Sequence, residues 1–228
     1  MSDAETKEGT AQDAKDEASP KTDETAALAP KADDAAAQAK PAYRPPYAFL
    51  VIVSAVTLVA DLGTKHWAVK NLSDPFERRE IIDGFLGLVL AHNPGGAWGL
   101  LQNESPAVRV PFFILVSIVA IGFIVSLYRK LAPDQTALRW GLPLVLGGAL
   151  GNLVDRIRYR HVIDFIDMYT REGTWLDNFI ERFTGPTRGG YHWPTYNIAD
   201  IAIVAGVLLM AVDMFQSRKA EKKAEAAK

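Results

Sequence analysis

Residues 48–60 read AFLVIVSAVTLVA, an unbroken run of apolar or small side chains, and the chain continues as DLGTKHWAV to residue 69. A helix needs about 20 predominantly apolar residues to cross a bilayer. The stretch 47–69 has this length, and prolines at positions 45 and 46 lie where a helix can begin. It therefore predicts a first membrane-spanning helix that carries an acidic residue, Asp61, near its far end.

Three later stretches have the same apolar character. They lie near 110–127, 138–154 and 198–215. We expect Pro111 to open the second of the four helices. Between the first two spans, the apolar run 81–90 is interrupted by Gly84 and Gly87, which favours short strands or a hairpin at the membrane surface. These patterns predict an all-α membrane protein with four transmembrane helices and a small periplasmic β-rich or loop region.

The two ends of the chain differ from this membrane domain in composition. Residues 1–44 carry ten acidic and six basic side chains, and Leu28 is their only large aliphatic residue after Met1. Such a segment buries too little apolar surface to offset its chain entropy, so we expect a disordered cytoplasmic tail. It is either a solvated tail without function or a docking segment for a cytoplasmic partner. Residues 45–216 then form the four-span domain, and 217–228 form a basic cytoplasmic tail.

The basic residues predict the orientation in the membrane, because Lys and Arg concentrate on the cytoplasmic side. They cluster before the first span, between the second and third, and after the fourth: Lys40, Arg44, Arg129, Lys130, Arg139, Arg218, Lys219, Lys222 and Lys223. Four spans place all three clusters on one side, which predicts a multi-pass protein of the bacterial inner membrane with both termini cytoplasmic. The opposite loop, 156–195, carries six arginines, which argues against this orientation, although five acids accompany them. The first 44 residues lack the apolar core of an export signal, so we expect the first span to serve as an uncleaved insertion signal.

Composition excludes several kinds of function. The chain has no cysteine, which rules out disulfides, a catalytic thiolate and zinc–thiolate sites. A net charge of −2 offers no basic field for nucleic acid. Metal-binding HExxH and nucleophilic GxSxG patterns are absent, and the histidines are scattered, at His66, His92, His161 and His192. We therefore expect no metal site and no nucleic-acid partner.

Four aspartates lie where an acid is costly and is by default a functional hypothesis. They are Asp61, Asp155, Asp164 and Asp200. In the four-span arrangement all of them fall toward the outer ends of their segments. One interpretation is that they are helix-end residues in headgroup water, paired with the nearby arginines. Their coincidence at a single depth favours the other interpretation, one site near the outer leaflet.

Asp164 and Asp200 have unlike surroundings, as a pair that divides acid and base roles requires. Asp164 stands among apolar neighbours in VIDFI, and desolvation there raises the pKa of a carboxyl. Asp200 follows Asn197 by three positions at the start of the last span, where a helix N-terminus favours an ionised carboxylate and Asn197 is suited to cap the helix. Two carboxylates that approach closely also share one proton.

Four segments extend the pattern beyond these aspartates. They are Asp61-Leu-Gly-Thr-Lys65, His92-Asn-Pro-Gly-Gly-Ala-Trp-Gly99, Gly147-Gly-Ala-Leu-Gly-Asn-Leu-Val-Asp-Arg156 with Val162-Ile-Asp-Phe-Ile-Asp167, and Tyr196-Asn-Ile-Ala-Asp200. In this order they resemble the motifs of the lipoprotein signal peptidase family, also called signal peptidase II. The resemblance covers about residues 47–215. Any one motif is weak evidence, but four in the family order are highly specific.

The resemblance implies an activity. Enzymes of this family cut the leader peptide from a diacylglyceryl-modified prolipoprotein, just before the lipidated cysteine, and use neither metal nor cofactor. It implies that Asp164 and Asp200 are the catalytic pair, one activating water while the other protonates the departing amine and polarises the carbonyl. The expected partners are therefore prolipoprotein substrates and membrane lipids.

The same resemblance assigns supporting roles to six residues. Asn152, Arg156 and Asn197 line the site and hold the carboxylates, Asn93 presents the outer loop to substrate, and Asp61 and Asp155 support the site.

The chain departs from the family pattern in three places. Trp98 replaces a smaller aromatic residue in the Asn93 loop, and Tyr196 replaces a phenylalanine. The 36 positions from Asp164 to Asp200 exceed the family spacing. We interpret the excess, about 170–191, as an inserted surface excursion that either extends substrate contacts or is inert.

Two competing classes of protein remain to be weighed against this one. An intramembrane aspartyl protease of the Gly-x-Gly-Asp kind is disfavoured because that tetrapeptide is absent. The alternative to an enzyme is a small polytopic transporter or proton-coupled membrane protein, with the aspartates as a proton relay. Transporters of this kind often carry internal repeats or helices broken at mid-membrane. Here the glycines and acids lie at span ends, which favours the peptidase.

Overall fold

The computed structural model describes residues 45–72, 78–96, 99–186 and 189–226. The five helices of these residues are α1 (Tyr47–Asn71), α2 (Pro106–Arg129), α3 (Thr136–Tyr159), α4 (Trp175–Thr184) and α5 (Ile198–Ala226). Four of them, all but α4, are long and apolar enough to cross a membrane, and the span in α5 is Ile198–Lys219. The predicted four-helix membrane fold is therefore confirmed. The predicted disordered tail 1–44 lies outside the described residues.

The second and third spans are longer than the sequence predicts. The second span begins at Pro106, not at Pro111, which lies inside α2. Proline is tolerated at the first helical position because the N–H it lacks has no partner there. The third span continues beyond residue 154 to Tyr159, so Arg156 lies on its last turn.

A small antiparallel sheet lies at one end of the bundle. Its strands are β1 (Arg79–Ile82), β2 (Leu86–Asn93) and β3 (Val162–Met168), in that order across the sheet. The run 81–90 predicts short strands or a hairpin, and β1 and β2 form an antiparallel hairpin. Its turn contains Gly84 at a φ of +69°, a left-handed conformation that glycine adopts without steric cost. The third strand was not assigned from sequence, and it brings Asp164 opposite Ala91.

Helix α3 lies at the centre of the bundle and packs against α1, α2 and α5. Its glycines permit this close approach, as small residues do in membranes. A Cβ built on Gly147 meets the backbone oxygen of Ser54 at 2.7 Å, and one built on Gly141 meets that of Gly206 at 2.7 Å. The outward faces of α1, α2 and α5 expose apolar side chains, as expected of surfaces that contact lipid. The bundle thus holds its few polar side chains between closely packed helices.

Candidate active site

The chain places Asp164 of β3 and Asp200 of α5 on the wall of one cavity of about 940 Å³. The cavity opens where the sheet meets the bundle. Three more of the predicted site residues line it, namely Asn93, Asn152 and Arg156. Trp193, Thr195 and Tyr196 continue the wall on the loop that leads into α5. The two carboxylates, far apart in sequence, therefore face a shared space.

Asp200 is held at the first turn of α5 by Asn197, the residue just before the helix. The backbone N–H of Asp200 donates to the Asn197 side-chain oxygen at 3.0 Å. In return, the backbone N–H of Asn197 donates to Oδ2 of Asp200 at 3.2 Å. This reciprocal pair is a capping box, in which two unpaired helix N–H groups are satisfied at once. It also orients the Asp200 carboxylate toward the cavity side of the helix start.

Asp164 is almost wholly buried, with 1% of its surface exposed. Its Oδ1 accepts a hydrogen bond from the side-chain amide of Asn197 at 2.7 Å, and its Oδ2 accepts one from Asn93 at 3.0 Å. Burial, together with the negative charge of Asp200, raises the pKa of Asp164 to about 7, while the two amide hydrogen bonds oppose the shift. The direction agrees with the one that its apolar sequence neighbours predict.

Asn152 of α3 connects Asp200 to Asn197 and Lys65 through its single amide group. Its Nδ2 donates to Oδ1 of Asp200 at 2.9 Å. Its Oδ1 accepts from Nδ2 of Asn197 at 3.2 Å and from Nζ of Lys65 at 3.0 Å. Because both donors bind the amide oxygen, the amide nitrogen of Asn152 must face Asp200.

Lys65 of α1 is buried below this network, with 1% of its surface exposed. Its ammonium lies 2.8 Å from Oδ2 of Asp61 and 2.8 Å from Oδ2 of Asp155, in addition to its bond to Asn152. Two carboxylate oxygens and one amide oxygen thus surround the ammonium. A buried charge that is paired with opposite charges in this way is tolerated, whereas an unpaired one is not.

Asp61 and Asp155 extend the Lys65 cluster to the two segments that carry the paired carboxylates. Oδ1 of Asp61 accepts the backbone N–H of Ala199 at 2.9 Å, in the first turn of α5. Oδ2 of Asp155 accepts the backbone N–H of Ile163 at 3.1 Å, in β3 next to Asp164. The cluster therefore fixes the backbone on which both carboxylates are mounted.

Arg156 contacts the loop that follows Asn93. Its guanidinium donates to the carbonyl of Asn152 at 3.2 Å, contacts the carbonyl of Gly95 at 3.5 Å and lies 4.7 Å from the ring centroid of Phe113. The backbone N–H of Gly95 donates in turn to Oδ1 of Asn93 at 3.1 Å, so the amide nitrogen of Asn93 points to Asp164. The positive charge of Arg156 also lies within electrostatic reach of both carboxylates.

Sequence reasoning missed two features of this region. Lys65 was not named as a site residue, although a lysine four positions after Asp61 in an apolar span is itself a signal of a buried pair. Asp167, also buried, pairs with Arg78 at 2.9 Å and with His192 at 3.3 Å, contacts that link distant segments and that no local pattern reveals. In the part of the chain that the structure describes, no group of three or more His, Asp or Glu residues is arranged to hold a metal ion.

These observations define a polytopic membrane protein with a carboxylate-lined cleft at one end of its helix bundle. Comparison with known proteins gives its family. Residues 53–216 match the model of the family described as "Signal peptidase (SPase) II", and the chain belongs to that family. It is therefore a protease and a multi-pass bacterial membrane protein, and the transporter alternative is not favoured.

Individual relatives agree with this assignment. The lipoprotein signal peptidase of Geobacter sulfurreducens is 38% identical over 176 residues, which cover 77% of this chain and 97% of the relative. The lipoprotein signal peptidase of an Anaeromyxobacter species is 38% identical over 200 residues, covering 76% of this chain and 88% of the relative.

Solved structures show the same fold. One described as "Bacterial membrane enzyme structure by the in meso method at 2.3 A resolution" has a TM-score of 0.60 at 24% identity and covers 77% of this chain and 92% of its own. A second, at 1.9 A resolution, has a TM-score of 0.58 at 25% identity and covers 75% and 95%.

Proposed function

We propose that this protein is an aspartic endopeptidase that removes the signal peptide from diacylglyceryl-modified prolipoproteins, cutting before the lipidated cysteine, with Asp164 and Asp200 as its catalytic pair. The observation that carries the proposal is the position of Asn197, which binds both carboxylates at the wall of one cleft. Two carboxylates held this way in unlike surroundings suit the division of acid and base roles.

In the proposed mechanism, Asp164 carries a proton before the reaction starts. Its pKa of about 7 leaves a large protonated fraction at neutral pH. Asp200, which lies in the first turn of α5 where a helix N-terminus favours a negative charge, acts as the carboxylate base. It takes a proton from water as the water oxygen attacks the scissile carbonyl carbon. Asp164 first donates a hydrogen bond to the carbonyl oxygen and then its proton reaches the departing amine, so the peptide bond breaks with protons balanced.

The shape of the cleft fits a lipidated peptide. Its polar end holds the two aspartates and Asn93, where a peptide backbone finds hydrogen-bond partners. Its other end follows the membrane-spanning part of α5 along Ile201, Val204 and Leu208. The side chains of Val204 and Leu208 are 58% and 61% exposed, on a surface that contacts lipid. A diacylglyceryl group bound there keeps its acyl chains in the bilayer while the cysteine backbone reaches the carboxylates.

A cleavage assay with matched substrates tests this function. The purified protein in detergent receives a leader peptide with a diacylglyceryl-modified cysteine and, in parallel, the same peptide without lipid. We expect cleavage of the lipidated peptide alone, at the bond before the cysteine. Cleavage of both peptides at equal rates contradicts the substrate assignment, and cleavage of neither contradicts the proposed reaction.

We further propose that the protein lies in the bacterial inner membrane with both termini in the cytoplasm, so that the sheet and the cleft face the periplasm. This proposal is supported by the clustering of Lys and Arg at one set of span ends. Reporter fusions at residue 134 and at the C terminus should report cytoplasm, and a fusion at residue 180 should report periplasm. A cytoplasmic signal at 180 contradicts this orientation.

A further inference from the structure

Helix α4 lies within the inserted segment, about 170–191. From sequence, this segment either extends substrate contacts or is inert. Its start is well defined, because Oγ1 of Thr174 accepts the backbone N–H of Asp177 at 3.3 Å as an N-cap. The buried carboxylate of Asp177 accepts from Oγ1 of Thr170 at 2.6 Å and from the Gly173 N–H at 3.0 Å. These hydrogen bonds thus fix the start of the helix against the loop that follows β3.

The ten residues of α4 divide into two faces. Trp175, Phe179 and Phe183 are spaced by four positions, so they lie above one another on successive turns. We call these three residues the aromatic face. Leu176 and Ile180 extend it at the helical period of 3.6 residues, while the side opposite carries Asp177 and Glu181. This pattern is typical of an amphipathic helix.

The aromatic face has no protein partner in the described residues. Trp175, Phe179 and Phe183 are 79%, 55% and 78% exposed. Within residues 45–72, 78–96, 99–186 and 189–226, α4 packs against no other helix or strand. The rings of Phe179 and Phe183 contact each other, with centroids 5.4 Å apart. Three adjacent exposed aromatic side chains form a patch of the kind that marks an interaction site.

We propose that α4 lies in the plane of the membrane interface at the sheet end of the bundle, with its aromatic face inserted among lipid headgroups and the upper acyl chains. Short amphipathic helices with Trp and Phe on one face bind this zone, and aromatic side chains are enriched there. The inference rests on the membrane-spanning fold and is independent of the proposed catalytic pair.

The position of α4 in the chain favours lipid as the occupant over another protein. Its loop leads directly into α5, whose apolar outer surface is a bilayer contact. Trp193, half exposed on the returning part of that loop, lines the same cavity as Val204 of α5. This returning segment is held against the sheet because the N–H of Trp193 donates to the carbonyl of Met168 at 2.8 Å. The loop that carries α4 therefore ends where the lipid-exposed surface begins.

The absence of cysteine makes a direct test possible. A single cysteine introduced as F179C, or separately as F183C, is the only thiol of the chain and accepts an environment-sensitive nitrobenzoxadiazole label. The matched control is N178C, one position along on the polar side of the same helix. Labelled protein is reconstituted into phosphatidylethanolamine and phosphatidylglycerol vesicles that contain phosphatidylcholine with a doxyl quencher near the headgroup.

We expect lipid quenching at 179 and 183 to exceed that at 178 by roughly twofold or more, with the reverse order for aqueous iodide. Equal iodide quenching at 178 and 179 shows that the face lies in water and overturns the proposal. A label at 179 that is shielded from both quenchers shows that protein covers the face, which overturns it equally. The substitutions W175S and F183S, made together in the F179C background, serve as a second measurement: they should lower lipid quenching and raise iodide quenching at 179 while cleavage in detergent is retained, and unchanged quenching contradicts insertion of the aromatic face.

Discussion

Nδ2 of Asn197 lies 2.7 Å from Oδ1 of Asp164, and this hydrogen bond joins the residue that caps α5 to the middle of β3. The same asparagine binds Asp200 through its backbone N–H at 3.2 Å. One residue therefore sets the relative position of two carboxylates that are 36 positions apart in sequence. The proposed chemistry depends on this arrangement.

Substitution of either carboxylate by its amide should abolish cleavage. Asp164→Asn and Asp200→Asn keep the size of the side chain but remove its ability to exchange a proton. If both groups act on one water molecule, the double variant should be as inactive as either single variant. The measurement is turnover of a diacylglyceryl-modified leader peptide in detergent, normalised to folded protein.

The matched control for this pair is Asp213→Asn. Asp213 is also a buried aspartate of α5, but it accepts from Gln135 at 3.1 Å, at the other end of the bundle. This variant should keep its turnover. Full activity in Asp164→Asn or Asp200→Asn would falsify the assignment of the pair, and Asp155 would become the next candidate.

The pH dependence should report the proton on Asp164. Its folded-state pKa, about 7, lies above its ordinary value of 3.8 because of burial and the charge of Asp200. Because Asp164 is the proposed proton donor, the rate of cleavage should fall as pH rises through about 7. Because the folded protein binds this proton more tightly than the unfolded chain, its contribution to stability is full below pH 3.8 and is lost as pH rises through about 7.

Thermal unfolding in detergent across this pH range measures the second effect. The wild-type Tm should fall with rising pH relative to that of Asp164→Asn, which carries no such proton. A difference in Tm between the two proteins that stays constant from acidic to neutral pH contradicts the assignment of the proton to Asp164.

Removing the buried lysine should damage the whole site. Lys65→Met leaves Asp61 and Asp155 without a cation and should cost about 3–5 kcal/mol, the usual penalty for one missing partner of a buried pair. It also releases the oxygen of Asn152, so residual folded protein should show a lower kcat. Asp61→Asn keeps the pair between Lys65 and Asp155, and we expect a smaller loss of stability with some activity retained. Equal Tm values for Lys65→Met and the wild type contradict this account of the cluster.

Glycine at position 151 should be required for packing. A Cβ built there collides with the carboxylate of Asp61, which is itself bound to Lys65 and to Ala199. Gly151→Ala should therefore lower the Tm and the yield of folded protein. The control is Gly122→Ala, also in a membrane-spanning helix, where a Cβ meets nothing within 4 Å. If both substitutions leave the Tm unchanged, the close contact between α1 and α3 at Asp61 is not needed for stability.

Sequence alone determined the class of fold. Four apolar stretches of membrane-spanning length and the glycine-rich third span are local properties, since hydropathy and side-chain size act within each segment. The hairpin of β1 and β2 likewise follows from an apolar run broken by Gly84. The resemblance of four motifs also predicted the family, which the comparisons confirmed.

Tertiary structure decided how the polar residues meet. The eight site residues named from sequence belong to one hydrogen-bonded network, although their catalytic and supporting roles stay predictions. The strand β3 was not recognised, because its two acids are spaced by three positions and do not follow the alternation of a half-buried strand. Lys65 and its bond to Asn152, 87 positions away, became visible only in the folded chain. Local sequence sets which segments cross the membrane, but partners for buried charges come from distant segments, and only packing of the helices brings them within hydrogen-bond distance.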